Sequence, residues 1–356
     1  MSSFRRAAPP SSSFASSSSS PVGTPLPSPP VAATGGLPLR GTKPFINNQT
    51  LTSSGLRELD ALIGGGFLLG TLVVVEPPVF GSFGADVLRY FAAEGLAHEQ
   101  HVFADAATVD ALPLELSTAQ KQLKAHVLAD VPDDPKLTIA WQYEKYKPSD
   151  NGGGGADARF CHSFDLSKPM QASMRGDSTC HVLPAYSSYE DVFHHMHRAL
   201  VEHATTAVRF VLADIGAPWT YSEMNRDHIR RLHQFLRAIR GLLARHRHRA
   251  ICMMSLPAFA MPSPAVVRAL RHLGDYVFEL TSFAGDPLPA ELSDFSGLLY
   301  VHALARTHAL TCHAVESTKL GIKRDRRKLK LEHLHLPPEG SRSQKPTAAA
   351  PPDMSF

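Results

Sequence analysis

Apolar residues recur along this chain at two spacings, and the switches between them predict its elements. Leu56, Leu59, Leu62 and Ile63 fall on one face of a short helix. Ser54 is placed to cap that helix, and Gly64, Gly65 and Gly66 end it in a tight bend. Leu72 to Val75 is a continuous apolar run, mostly β-branched, of the kind that fills a buried parallel strand. Helical spacing returns over Ala85 to His98, carried by Val87, Leu88, Phe91 and Leu96, and His101 to Ala104 reads as the next strand. Residues 106–135 are less regular and are broken by Pro132, Asp133, Asp134 and Pro135. Leu137 to Tyr143 reads as a strand, and residues 148–157, with glycines 152–155, as a flexible loop. Tyr189 to His203 is helical, and Val208 to Asp214 is a short apolar strand ending in a carboxylate. The longest helix spans Asp227 to Arg249, with Ile229, Leu232, Leu236, Ile239, Leu242 and Leu243 as its apolar stripe. Ile251 to Leu256 is a buried strand, 257–264 a loop at the C-terminal edge of the sheet, and Val266 to Leu273 a helix. Strands follow near 275–281, 297–304 and 308–315. Alternation of strand and helix predicts an α/β fold with a mostly parallel sheet flanked by helices. The last strands lack intervening helices, which predicts an antiparallel C-terminal extension.

Composition narrows the picture at the ends of the chain. Residues 1–40 are rich in Ser, Pro and Ala, and no acidic residue occurs before Glu58. Such a segment buries too little apolar surface to order itself, so it is expected to be a disordered tail, as is the chain from about Gly340. Ser-rich, acid-poor character also suits an organelle transit peptide, but only Arg5 and Arg6 are basic near the start and no amphipathic helix is evident. Residues 41–340 are left as one domain. The net charge of +3 among 356 residues does not by itself call for nucleic acid. No apolar run approaches the ~20 residues of a membrane span. Cys161, Cys180, Cys252 and Cys312 are far apart and form no C-x-x-C pair, which suits a reducing compartment.

The chemistry centres on Ser53 to Asp86. A strand such as Leu72 to Val75, followed by a loop and a helix, is the setting of a Walker A loop, G-x-x-x-x-G-K-[ST]. Here the loop reads EPPVFGSFGAD. With Gly84 as the last loop glycine, Ala85 stands at the lysine position, Asp86 at the Ser/Thr position and Val79 at the first glycine. Gly81 and Ser82 remain as loop residues. Pro77 and Pro78 offer no backbone N–H to a phosphate. Losing one charge-assisted contact costs roughly 1.5–3 kcal/mol of binding. Loss of a transition-state donor costs about a hundredfold or more in rate. Asp214 occupies the place of a Walker B carboxylate, which helps to hold magnesium; it equally suits a turn at a strand end. The loop predicts a P-loop fold without a working P-loop.

Four segments resemble the family of the fourth Elongator subunit. They are SSGLRELDALIGGGFLLGTLVVVE followed by a lysine-free loop, LTIAWQYEKY at 137–146, RFCHSFDLSKPM at 159–170 and LKLEHLHLPPE at 329–339. DIGAPWT at 214–220 also resembles the family's strand-end turn, although the family often has an amide where Asp214 stands. The likeness covers about residues 40–340. It implies a RecA-like fold and assembly with the fifth and sixth Elongator subunits into a six-membered ring holding two copies of each. It further implies attachment to the larger subunits, and tRNA binding in support of wobble-uridine modification in cytoplasm and nucleus. Nucleotide, if used, would be ATP between subunits. Two other readings stand beside it: an active RecA-like ATPase acting on nucleic acid, and a transcription-elongation scaffold.

Several cationic and aromatic positions are candidates for RNA contact. In Lys319 to Lys330, Lys323, Arg324, Arg326, Arg327 and Lys328 suit phosphate contact, a nuclear localisation signal or a solvated connector into a strand at 329–334. The helix at 227–249 has a second, basic face of Arg230, Arg231, Arg237, Arg240, Arg245, Arg247 and Arg249, which suits RNA or an acidic partner subunit. Phe259, in the loop after a central strand, suits base stacking or a plug against a neighbouring subunit. His194, His195 and His197 cluster, and Cys161-His162, Cys180-His181 and Cys312-His313 are adjacent, but none has zinc-ligand spacing, so no metal site is expected. No catalytic residue is assigned.

Overall fold

The computed structural model describes residues 39–116, 160–176, 178–184, 188–219, 226–285, 287–288, 292–306 and 317–334. β1 (Thr42–Pro44), β2 (Thr50–Thr52) and β3 (Phe67–Leu68) form a small antiparallel sheet around α1 (Arg57–Leu62). β4 (Leu72–Glu76), α2 (Phe83–Ala97), β5 (His101–Asp105) and α3 (Ala106–Asp110) follow. β6 (Pro113–Glu115) then pairs with β7 (Phe164–Pro169). Next come β8 (Cys180–Leu183), α4 (Tyr189–Glu202), β9 (Val208–Leu212), α5 (Arg226–Arg245), β10 (Ala250–Ser255) and α6 (Pro264–Arg271). The chain closes with β11 (Tyr276–Ser282), β12 (Gly297–Ala303), β13 (Lys319–Arg324) and β14 (Leu329–His333).

Nine of these strands make one sheet in the order β14-β13-β12-β11-β4-β10-β9-β5-β8. Pairing is parallel from β11 to β8 and antiparallel from β11 out to β14. β4 sits centrally, and its side chains split by the two-residue period of a strand. Val73 and Val75 join one apolar layer with α1 and α2 residues such as Leu59 and Phe91. Leu72 and Val74 join the opposite layer with α4 to α6 residues such as Met196, Leu236 and Leu270. Burial on both faces is why β4, β9 and β10 are mostly apolar without alternation, with Glu76 of β4 and Arg209 of β9 as buried charged exceptions.

Most predicted elements are present with shifted ends. Three readings are corrected. Ser54 does not cap α1: Leu56 holds that position without a side-chain cap, and the Ser54 hydroxyl accepts from the Leu56 N–H at 3.1 Å instead. The helix of the predicted 227–249 stops at Arg245, so Arg247 and Arg249 lie in the turn beyond it. The basic stretch 319–330 is a β-hairpin and not a connector. The strands expected at 137–143 and 308–315 and the loop at 148–157 lie outside the described residues, as do most of 106–135 and both tails.

Candidate functional site

The loop after β4 is closed by its own side chains. Asp86 sits in the first turn of α2, fully buried. Its carboxylate accepts from the Ser82 hydroxyl at 2.9 Å, from Arg89 at 3.2 Å and from the Arg324 Nε at 2.7 Å. An N-terminal helix turn favours an anion, and here the anion is a residue of the chain itself. Gly84 packs so tightly that a Cβ there would come within 2.7 Å of the Pro77 side chain. Ala85, at the lysine position, faces solvent. Thus Ser82, Gly84 and Asp86 do structural work, while Gly81 forms the turn at φ 103°.

Arg324 ends β13, so the ion pair ties the C-terminal hairpin to α2. Two more bonds hold the hairpin, one to α2 and one to β7. The Leu329 N–H donates to the Tyr90 hydroxyl at 3.2 Å, and the Leu166 N–H donates to the Arg327 carbonyl at 2.8 Å. Burial pushes the Tyr90 hydroxyl up to about 12, so it stays protonated. The remaining RNA candidates diverge. Lys323 pairs with Glu332 at 2.7 Å and lies over the Phe295 ring. Arg326 and Arg327 are exposed at the hairpin tip, and Lys328 is half-buried beside them.

At the C-terminal ends of β4, β10 and β11 lies a cleft of about 940 Å³. One end of it is sealed by charge: Arg271 grips Glu76 at 2.5 and 2.7 Å and reaches Glu279 at 3.0 Å, while His302 also meets Glu279 at 2.6 Å. Its rim is apolar. Val79, Phe80 and Phe259 are 60%, 66% and 47% exposed, and Phe259 stacks on the exposed Trp219. Clustered apolar exposure of this kind marks a contact surface more than a phosphate cradle.

Asp214 lies two residues beyond β9 at φ 51°, in a left-handed turn. Its N–H donates to the Ser255 hydroxyl at 2.7 Å, and its carboxylate accepts from Ser255 and from the Trp219 Nε1, both at 3.3 Å. Those contacts account for the carboxylate as a turn residue.

On α5, Arg230, Arg231, Arg237, Arg240 and Arg245 are exposed, and Arg240 pairs with Asp275 at 2.6 Å. Arg249 instead caps α4, donating to the Leu200 and His203 carbonyls at 2.5 and 2.7 Å. His194 and His197 face solvent. Convergence in space, which sequence spacing could not reveal, brings three other groups of ligand atoms within 4.8 Å: Glu94, His98 and His162; Glu76, Glu279 and His302; and His101, His181 and His203. Glu94 is fully buried, and burial works to raise its carboxyl, but bonds from His162 and His98 override that and hold it at about 2. Cys161 beside it has its thiol pushed up to about 12 by burial and by Glu94. Cys312 and His313 lie outside the described residues.

One strand, β10, separates the loop-bearing β4 from β9, whose downstream turn carries the acid; this order defines a RecA-like α/β domain with a degenerate nucleotide loop. A family profile described as PAXNEB protein matches residues 36–354, and the chain belongs to that family. Relatives named "Elongator complex protein 4" include one from Xenopus laevis, 29% identical, with 85% of this chain and 83% of the relative covered. The protein of that name from Homo sapiens is 25% identical, with 85% and 80% covered, and that from Dictyostelium discoideum 27%, with 83% and 77% covered. Among solved structures, a KaiC-like protein from Pyrococcus horikoshii superposes with a TM-score of 0.44 at 12% identity, over 79% of this chain and 98% of that one.

Proposed function

We propose that this chain is a non-catalytic RecA-like ring subunit of the Elongator complex, supporting tRNA binding for wobble-uridine modification. The observation that carries the reading is the closed loop, in which the buried Asp86 carboxylate and Arg324 fill the helix N-terminus where a phosphate would bind. A nucleotide phosphate at that turn would have to displace the Asp86 carboxylate from Arg324, Arg89 and Ser82. The chain's partners on this reading are the fifth and sixth Elongator subunits, in a six-membered ring that joins the larger subunits in cytoplasm and nucleus. The apolar rim of Val79, Phe80, Phe259 and Trp219 supplies a surface for a neighbouring subunit. ATP, where used, sits between subunits and not in this loop. Arg326 and Arg327, exposed at the tip of the hairpin, are the best placed of the RNA candidates.

The test is co-purification with the two partner subunits, followed by size-exclusion chromatography with light scattering and labelled tRNA. A six-membered assembly that carries the tRNA is expected. A monomer that ignores both partners and tRNA overturns the reading. Fluorescent ATP analogue with magnesium should show no saturable binding to the isolated chain; saturable binding would favour the ATPase reading instead.

A further inference from the structure

At the N-terminal end of the sheet, opposite the cleft, the edge of the fold gathers three imidazoles. His101 opens β5, His181 lies in the adjacent edge strand β8, and His203 terminates α4. His101 Nδ1 is 3.0 Å from His181 Nε2. The His203 ring stacks on that of His101 at 3.7 Å and lies 5.1 Å from that of His181. One ring nitrogen from each falls within 4.8 Å of the others, and all three side chains are half-buried. We propose that His101, His181 and His203 form a binding site for a late first-row divalent cation, Zn²⁺ foremost.

Imidazole nitrogen is a preferred ligand of zinc, with Zn–N bonds of about 2.0–2.1 Å. In a tetrahedral site such bonds place the nitrogens about 3.4 Å apart. The His101–His181 nitrogens, 3.0 Å apart, are near that value, and all three nitrogens lie within 4.8 Å of one another, so His203 would have to turn out of its stack on His101 to share one ion with them. The chemistry also fits. Burial and the two neighbouring imidazoles push His101 down to about 4, and burial lowers His181, which keeps their lone pairs available at neutral pH. The other two groups of ligand atoms are already satisfied internally: Glu94 by two histidines, and Glu76 and Glu279 by Arg271. Three histidines leave the fourth position open to water, and His195 of α4 is near enough to act electrostatically on His181. A bound cation would staple β5, β8 and the end of α4, fixing an edge strand that otherwise has unpaired backbone groups.

The experiment uses the full chain freed of any polyhistidine tag and stripped with EDTA, titrated with ZnCl₂ against a chromophoric chelator and, separately, with Co²⁺. One Zn²⁺ per chain is expected, with the visible bands of tetrahedral Co²⁺ and a rise in Tm on zinc addition. His101→Ala and His203→Gln should each weaken binding by more than about 100-fold, beyond the roughly 10–100-fold cost of losing an outer-shell partner. His98→Gln, in the neighbouring Glu94 group, should leave it unchanged. Absence of stoichiometric zinc in the unaltered chain, or full retention by His203→Gln, overturns the proposal. Histidine ring NMR of the unaltered chain gives a reading that no variant's folding can spoil: zinc must shift His101, His181 and His203 together, and a shift confined to other histidines refutes the site.

Discussion

Arg209 is a charged residue in the middle of a fully buried strand. Its guanidinium donates to Gln100 at 2.6 Å, to Thr52 at 2.7 Å, to the Ser53 carbonyl at 2.9 Å and to the Phe91 carbonyl at 3.0 Å, and it lies over the Phe91 ring. Burial lowers it to about 10 while Glu94 and Asp60 oppose that shift, so it remains charged at neutral pH. Arg209→Met leaves these acceptors without a donor, and urea denaturation should report a loss of about 3–5 kcal/mol; a change below about 1 kcal/mol would show that the strand does not depend on it. Glu94 makes a prediction in pH. Its folded value lies below its ordinary value of 4.5, so the stability it adds is complete above that value and is lost as pH falls from about 4.5 to about 2. Thermal melts across that window should fall more steeply for the unaltered chain than for Glu94→Gln. Neither role was legible in the sequence. VRFVLAD reads as an apolar strand with one polar interruption, and no spacing rule joins Glu94 to a histidine 68 positions away.

The C-terminal hairpin is the element that changes most between sequence and structure. Its second strand is legible in the sequence at 329–334, but its charges mask the first: Leu320 and Ile322, like Leu329 and Leu331, alternate at period two and are buried. Asp325 to Lys328 between them is a tight turn, closed by an Asp325 N–H bond to the Lys328 carbonyl at 2.9 Å. The hairpin docks on α2 through Arg324 and Asp86, which sequence reading assigned to two unrelated roles. Arg324→Ala and Asp86→Ala should each destabilise the chain, and the double substitution should cost less than the sum of the two, because either single change already breaks the pair. A double-mutant cycle in urea should return a coupling of about 1–3 kcal/mol. A coupling near zero would mean that the hairpin is held by its other contacts, the β12 pairing, Tyr90 and Leu166 among them, without this ion pair.

The parallel core was legible because strands buried on both faces and helices buried on one carry different periods. Strand order was not, since β4 pairs with β10 and β11 across about 180 and 200 residues. The β1 to β3 sheet also escaped notice, its strands being two or three residues long. On the proposed ring assembly, Arg326→Ala with Arg327→Ala should weaken tRNA binding and reduce the salt slope by about 1 per lost phosphate contact. Arg240→Ala, already paired with Asp275, should change the slope little. Equal slopes for the ring with and without the tip arginines would move the RNA surface elsewhere. Among the described residues, no helix is long and apolar enough to cross a membrane.

Engineering the loop back toward a phosphate cradle would have to pass through weaker proteins. Changing Asp86 to a hydroxyl residue takes from Arg324 its carboxylate partner; changing Arg324 first leaves the buried Asp86 carboxylate with Arg89 and Ser82 alone. Either intermediate loses folding free energy before any phosphate affinity is gained, and Pro77 still crowds Gly84. The fold therefore acts as a ratchet: the position that would serve a ligand belongs to the chain's own framework, and single steps do not open it.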